Sequence, residues 1–167
     1  VTATSAVANV IVDALPSVVL THPATNLALP APASVTLTAE ADGNYGTVTN
    51  VQFYAGSTLL GTGTANGTTY SFTWSNVPAG TNSLTARATD DHGVTATTAS
   101  VTLIVNALPQ VSLTSPTNGT VVLAGTDLGL TATATSQIGL TQVELLLGTN
   151  SLGVATNTGS PYTLAWT

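Results

Sequence analysis

Residues 1–16, VTATSAVANVIVDALP, return as residues 94–109, VTATTASVTLIVNALP, with ten identities in sixteen positions at an offset of 93. A repeat of that period defines the folding unit before any residue-by-residue propensity is weighed. The match continues downstream. Leu20, Thr21 and Pro23 pair with Leu113, Thr114 and Pro116, and Leu37-Thr38-Ala39 with Leu130-Thr131-Ala132. After a slip of one residue, Val51, Gly56, Leu60, Gly61, Gly67, Tyr70 and Trp74 meet Val143, Gly148, Leu152, Gly153, Gly159, Tyr162 and Trp166. The 167 residues therefore read as the last strand of one repeat (1–13), a linker (14–16), a complete repeat (17–106), a second linker (107–109) and an incomplete repeat (110–167) that lacks its final strands. Each linker is Ala-Leu-Pro. Proline fixes its own φ and holds the preceding residue extended, so successive units are expected to be tilted but not free to swivel.

Inside the repeat the apolar residues alternate with polar ones, bounded by Gly, Pro, Asn and Asp. Val35, Leu37, Ala39 and Ala41 form one such series; Val51, Phe53 and Ala55, then Tyr70, Phe72 and Trp74, then Leu84, Ala86 and Ala88, then Val101, Leu103 and Val105 form the others. A period of two gives each strand one buried and one wet face. Threonine, 34 of the 167 residues, suits the wet face, since its branched Cβ favours a strand while its hydroxyl stays solvated. No stretch reads as a helix. Seven short strands in about 90 residues predict an all-β, two-sheet antiparallel sandwich of the Greek-key type.

The composition excludes whole classes of activity. Seven acidic residues and a single basic one, Arg87, give a formal net charge of −6. Binding that neutralises phosphates needs several cations, so neither nucleic acid nor an anionic membrane surface is an expected partner. The absence of cysteine removes disulfides, thiolate chemistry and Cys-type zinc sites, and the absence of lysine removes Schiff-base catalysis. Mean hydropathy is high, +0.38. Even so, the apolar stretches, such as Val143–Leu147 interrupted by Glu144, fall far short of the roughly 18 residues a spanning helix needs, so no membrane insertion is expected. With Val1 first and no basic segment ahead of an apolar stretch, no signal peptide is visible, and the residues read as part of a longer chain.

The motif series "VSLTSPTNGT…LTATA…VELLLGTNSLG…SPYTLAW" and its fuller copy from Leu37 to Val105 resemble the bacterial immunoglobulin-like (Ig-like) domains found in tandem in large secreted and surface proteins. The resemblance covers essentially the whole chain. It implies tandem Ig-like sandwiches, an extracellular or cell-surface location, and a non-enzymatic, structural role as a stiff stalk or fibre. It also implies an alternative, an adhesin or carbohydrate-binding accessory module, and the incomplete second repeat leaves open another, a filament subunit that exchanges strands with identical chains. The expected partners are neighbouring Ig-like repeats of the same or identical chains.

Without a disulfide the core must hold the sheets by itself. Trp74 with Tyr70 and Phe72, repeated as Trp166 with Tyr162 and Leu164, is its expected centre. Burying one such ring removes about 150–250 Å² from water, a few kcal/mol at about 25 cal/mol per Å². That rivals the roughly 2–4 kcal/mol of a disulfide.

No catalytic constellation is present: His22 and His92 fall in predicted loops, and no nucleophile elbow or phosphate loop accompanies them. No cofactor is expected, with Ca²⁺ the one open possibility. In an Ig-like sandwich the preceding linker and the second and last turns share one end, which would gather Asp13, Asp42 (or Glu40), Asp90 and Asp91 at the domain junction. Carboxylate oxygens suit Ca²⁺. The next copy has Asn106, Thr133 and Thr135 in place of Asp13, Glu40 and Asp42, and Asp90-Asp91-His92-Gly93 is also a good plain turn. A glycan ligand would need a platform of outward rings, for which Tyr54 and Tyr45 are the available residues. Asn66-Gly67-Thr68 and Asn118-Gly119-Thr120 match the glycosylation sequon and read more simply as Asn-Gly turns.

Overall fold

The computed structural model describes residues 1–9, 12, 14–156 and 159–167. These residues divide into two compact units, Val1–Val105 and Asn106–Thr167. Among them there is no helix, and hence none long and apolar enough to cross a membrane.

The first unit contains β1 (Ser17–His22), β2 (Leu27–Pro30), β3 (Ala33–Asp42), β4 (Val48–Ala55), β5 (Thr58–Thr62), β6 (Thr64–Asn66), β7 (Thr69–Val77), β8 (Gly80–Asp90), β9 (Thr95–Thr97) and β10 (Val101–Asn106). They form two sheets, one in the order β1-β3-β7-β6 and the other β2-β10-β8-β4-β5, with β9 also paired to β8. Seven strands are expected and ten segments occur. The first track leaves one sheet after His22 and joins the other at Leu27, the last is broken between Thr97 and Val101, and β6 is an addition. At the last break Thr98 keeps the ladder closed, its N–H donating to Ala86 O and its hydroxyl accepting from Ala86 N. Residues 1–9 and 12, expected as part of a preceding repeat's last strand, are exposed and carry no strand.

The period-two pattern is the burial pattern. Val35, Leu37, Ala39, Ala41, Val51, Phe53, Leu84, Ala86, Ala88, Leu103 and Val105 are all buried. The opposite face of the first sheet is a set of hydroxyl pairs: Ser34 lies across from Ser75, Thr36 from Thr73 and Thr38 from Ser71. Thr36 and Thr73 share a hydrogen bond of 3.3 Å.

The expected centre of the core, Trp74 with Tyr70 and Phe72, is not where the core is deepest. Tyr70 is buried, but Phe72 and Trp74 are only partly so, and Phe53 is the largest fully buried side chain. The reason lies in the sheet edge. β6 pairs with Thr69, Tyr70 and Ser71 alone, so the part of β7 carrying Phe72 and Trp74 has no strand outside it. Phe53 sits on β4, between β5 and β8, where both flanks are closed.

The second unit repeats this plan with β11 (Gln110–Ser115), β12 (Leu128–Thr135), β13 (Glu144–Leu147), β14 (Asn150–Val154) and β15 (Tyr162–Trp166). β11-β12-β15 form one sheet and β13-β14 another. Tyr162 is buried with Leu130, Ala132, Val143 and Leu145, but Trp166, at the end of β15, is 36% exposed and lies outside that cluster. Both units carry the same irregularity. The register of β1 on β3 slips between Leu20 and His22, and that of β11 on β12 between Leu113 and Ser115. The skipped residue is a threonine each time. Thr21 Oγ1 donates to Thr38 O and Thr114 Oγ1 to Thr131 O, at 3.1 and 3.0 Å, supplying a carbonyl with a donor where the ladder is interrupted.

A second shared device is the crossing from β5 to β6, where the chain passes from one sheet to the other over the rings of Phe53 and Phe72, which lie 6.3 Å apart. A Cβ on Gly61 would collide with the Phe72 ring, and one on Gly63 would lie 2.9 Å from Phe53 and 3.0 Å from Tyr70 Cβ. Gly63 N–H donates to Val51 O at 2.8 Å, and its counterpart Ala155 N–H donates to Val143 O at 2.9 Å. In the second unit the ring positions are Leu145 and Leu164, and alanine is accommodated at the crossing.

Two stability experiments follow from this packing. Phe53→Ala is expected to cost about 3–5 kcal/mol in urea unfolding, and Trp74→Ala distinctly less; the reverse order would restore tryptophan to the centre. Gly63→Ala is expected to cost about 1–3 kcal/mol through overpacking. Adding Phe53→Leu to Gly63→Ala, as in the second unit, should cost less than the sum of the two single changes in a double-mutant cycle.

Candidate functional site

The titratable groups collect at the end of the first unit where β8 stops. Asp90 falls on the core-facing parity of β8, after Leu84, Ala86 and Ala88, and is only 2% exposed. Burying a carboxylate is costly unless its oxygens are satisfied. Oδ1 accepts from His92 N at 3.0 Å and Val94 N at 2.8 Å, which folds the turn after β8 around the side chain, while Oδ2 is buried with no hydrogen-bond partner.

Asp91 faces outward and holds the β3–β4 loop. Its Oδ1 accepts from Thr47 N at 3.2 Å, its Oδ2 accepts from Thr47 Oγ1 at 3.3 Å, and its own N–H donates to Thr47 O at 3.0 Å. His92 Nδ1 lies 3.2 Å from Oδ1. Gly46, at φ +112°, makes room, since a Cβ there would collide with the Asp91 carboxylate. The Thr47 N–H holds the Asp91 carboxyl below the ordinary aspartate value of 3.8 against the opposing effect of burial, with lesser help from Asp91's own N–H, the neighbouring His92 and the Thr47 hydroxyl.

Of the four aspartates named for Ca²⁺, the structure brings together Asp90 and Asp91, joined by His92; one ligand atom from each lies within 4.8 Å of the others. Asp42 is not in this group, and its Oδ1 accepts from Asn44 N at 2.7 Å in a local turn. Asp13 lies outside the described residues. Glu40, the alternative to Asp42, accepts from Thr68 and Thr69 hydroxyls at 3.0 and 2.6 Å. Three ligands are half or fewer of the six to eight that Ca²⁺ takes. These hydrogen bonds clasp two loops 44 residues apart in sequence.

A second polar cluster lies on the outer face of the other sheet. Gln52 and Arg87 are cross-strand neighbours, and Gln52 Oε1 accepts from Arg87 at 2.6 Å and from Tyr54 OH at 2.9 Å. The guanidinium stands 5.2 Å from the Tyr54 ring centre, so the chain's one basic side chain caps its best-placed outward aromatic. Tyr45 lies elsewhere, 6.1 Å from the His92 ring. His22 ends β1 and His92 sits in the turn after β8, on separate elements. In the first sequon Gly67 adopts φ +64° between β6 and β7, the conformation an Asn-Gly hairpin turn requires.

Residues 16–86 and 109–167 both match the family model for the bacterial Ig domain. That is most of the chain, which belongs to this family. Among curated protein sequences none matches. Of solved structures, the fibronectin(III)-like modules of Clostridium thermocellum CbhA are 24% identical with a TM-score of 0.51, over 90% of this chain and 78% of that one. The N-terminal eight Ig domains of Down Syndrome Cell Adhesion Molecule are 16% identical with a TM-score of 0.53, over 91% of this chain and 23% of that one. At these identities the likeness shows the fold, an Ig-type antiparallel sandwich.

Neither Thr47 nor Asn44 stands out as a functional residue in the sequence. Asn44 had a signal, the Asp-Gly-Asn turn; Thr47 had none, because its partner is set by tertiary structure. The clasp gives a pH test. A carboxyl held below its unfolded pKa contributes stability that is complete above that unfolded value and is lost as pH falls through the folded one. The melting temperature should therefore drop on acidification below about pH 4, and Asp91→Asn, which has no charge to lose, should flatten that drop in thermal melts followed by circular dichroism.

Proposed function

We propose that this chain is a non-enzymatic structural segment of an extracellular or cell-surface bacterial protein, in which Ig-like units in series act as a stiff stalk or fibre. One observation carries the reading. The two units share the devices that hold a sandwich together: the threonine at the bulge, the buried tyrosine and the tight sheet crossing. They do not share the side chains that recognition or chemistry would use. His22, Glu40, Asp42, Gln52 and Tyr54 become Ser115, Thr133, Thr135, Glu144 and Leu146. Selection on a spacer acts on the fold of every unit and not on one site in each.

Each unit would add about 35–45 Å, the length of strands of some ten residues. Electron micrographs of the full-length parent protein should show a thin unbranched string with beads at that spacing. A compact particle would overturn the reading. So would reproducible binding on a glycan array that Tyr54→Ala abolishes, which would make the chain an adhesin or carbohydrate-binding module instead. Filaments growing with concentration from the isolated 167-residue chain would favour strand exchange between chains.

A further inference from the structure

We infer that an amide side chain in the turn after each unit's second long strand latches the Ala-Leu-Pro linker onto the unit that follows it. The linker is then the first part of that unit and not a tether between two. Asn44 and Gln137 occupy equivalent positions, 93 residues apart, in the turns after β3 and β12. Asn44 Nδ2 donates to Leu15 O at 2.6 Å. Gln137 Oε1 accepts from Ala107 N at 2.8 Å. Leu15 and Ala107 belong to the two Ala-Leu-Pro linkers.

The contact recurs although nearly everything about it has changed. The side chain is longer by a methylene, the linker atom is a carbonyl in one case and an N–H in the other, and the flanking turn residues differ. A primary amide carries a donor group and an acceptor atom side by side without charge, so the swap from Asn to Gln keeps a latch while reversing its polarity. The turns that present it are also built alike. Asp42 Oδ1 accepts from Asn44 N at 2.7 Å, and Ser136 Oγ accepts from Ile138 N at 3.3 Å. Asn44 sits at φ +56°, a conformation asparagine tolerates better than most residues.

The consequence concerns slack. β10 runs to Asn106, and the next residue, Ala107, is already held by Gln137, while β11 begins at Gln110. Pro109 fixes one more φ. Between the end of β10 and the start of β11, Ala107 is thus tied by Gln137, and Leu108, whose ψ the following proline restricts, has its carbonyl accepting from Gln110 Nε2 at 3.4 Å. Asn44 and Gln137 are therefore positioning residues of the joint. The inference rests on the stalk reading for its purpose and on the hydrogen bonds for its existence.

The test uses the whole chain. Amide hydrogen exchange reads the latch, and because the chain has no cysteine, spin labels at Ser57→Cys and Thr149→Cys read the spread of distances across the joint. Gln137→Ala, or Gln137→Met if the shorter side chain prevents folding, should speed exchange at Ala107 about tenfold or more while β12 amides stay protected, and should broaden the distance distribution. Gln137→Glu keeps an acceptor and should restore both. Asn44→Asp loses the donor to Leu15 O and should behave like Asn44→Ala, releasing the Ala14–Pro16 segment to cleavage by elastase. Unchanged exchange at Ala107 in Gln137→Ala would overturn the latch; faster exchange with an unchanged distance distribution would overturn its role in the joint. Neither result depends on whether the parent protein images as a string, so failure of the stalk reading would be recognised separately.

Discussion

The first unit depends on how closely the chain passes over two phenylalanine rings as it changes sheets. Phe53 fills the interior, Phe72 closes its side, and the backbone at Gly61 and Gly63 lies against both. Beside Leu37, Leu84, Leu103 and the small Ala39, Ala41, Ala86 and Ala88, Phe53 is the largest fully buried side chain, and the glycines supply the clearance it and Phe72 need. The second unit solves the same problem with smaller parts, Leu145 and Leu164 under Gly153 and Ala155. Interiors packed near crystal density do not absorb a methyl group freely, which is why ring and crossing residue change together.

Much of this was legible in the chain itself. A strand period of two assigns faces without knowledge of the partner strand, and most of the residues it placed inside, from Val35 to Val105, are buried, while Ala55, Phe72, Trp74 and Val101 are only partly so. Depth within the core was not legible. Trp74 and Phe53 have the same parity and similar chemistry, and what separates them is whether a neighbouring strand covers the position, a property of β6's length and not of the residues around Trp74. The bulges were written in the sequence as Thr21 and Thr114, but a threonine among so many others carries no mark of its role until the register is known.

The acidic end of the first unit shows the same boundary. Asp90-Asp91-His92-Gly93 is recognisable as a turn, and Asp90 does cap one. That Asp91 grips Thr47, and that Asn44 reaches Leu15, are long-range pairings that local pattern does not encode. These contacts direct the polar groups inward, toward holding loops and linker in place. A carboxylate that accepts two hydrogen bonds from Thr47 is committed to the fold in a way a solvated surface acid is not.

The paired hydroxyls of Ser34 and Ser75, Thr36 and Thr73, and Thr38 and Ser71 give the outer face a property that charged surfaces lack. Repulsion between like charges fades as the surrounding salt screens it. A coat of neutral hydroxyls holds its water by hydrogen bonding instead, an interaction that charge screening does not reach. With eight charged side chains in 167 residues, the chain would meet dilute and briny surroundings with nearly the same surface.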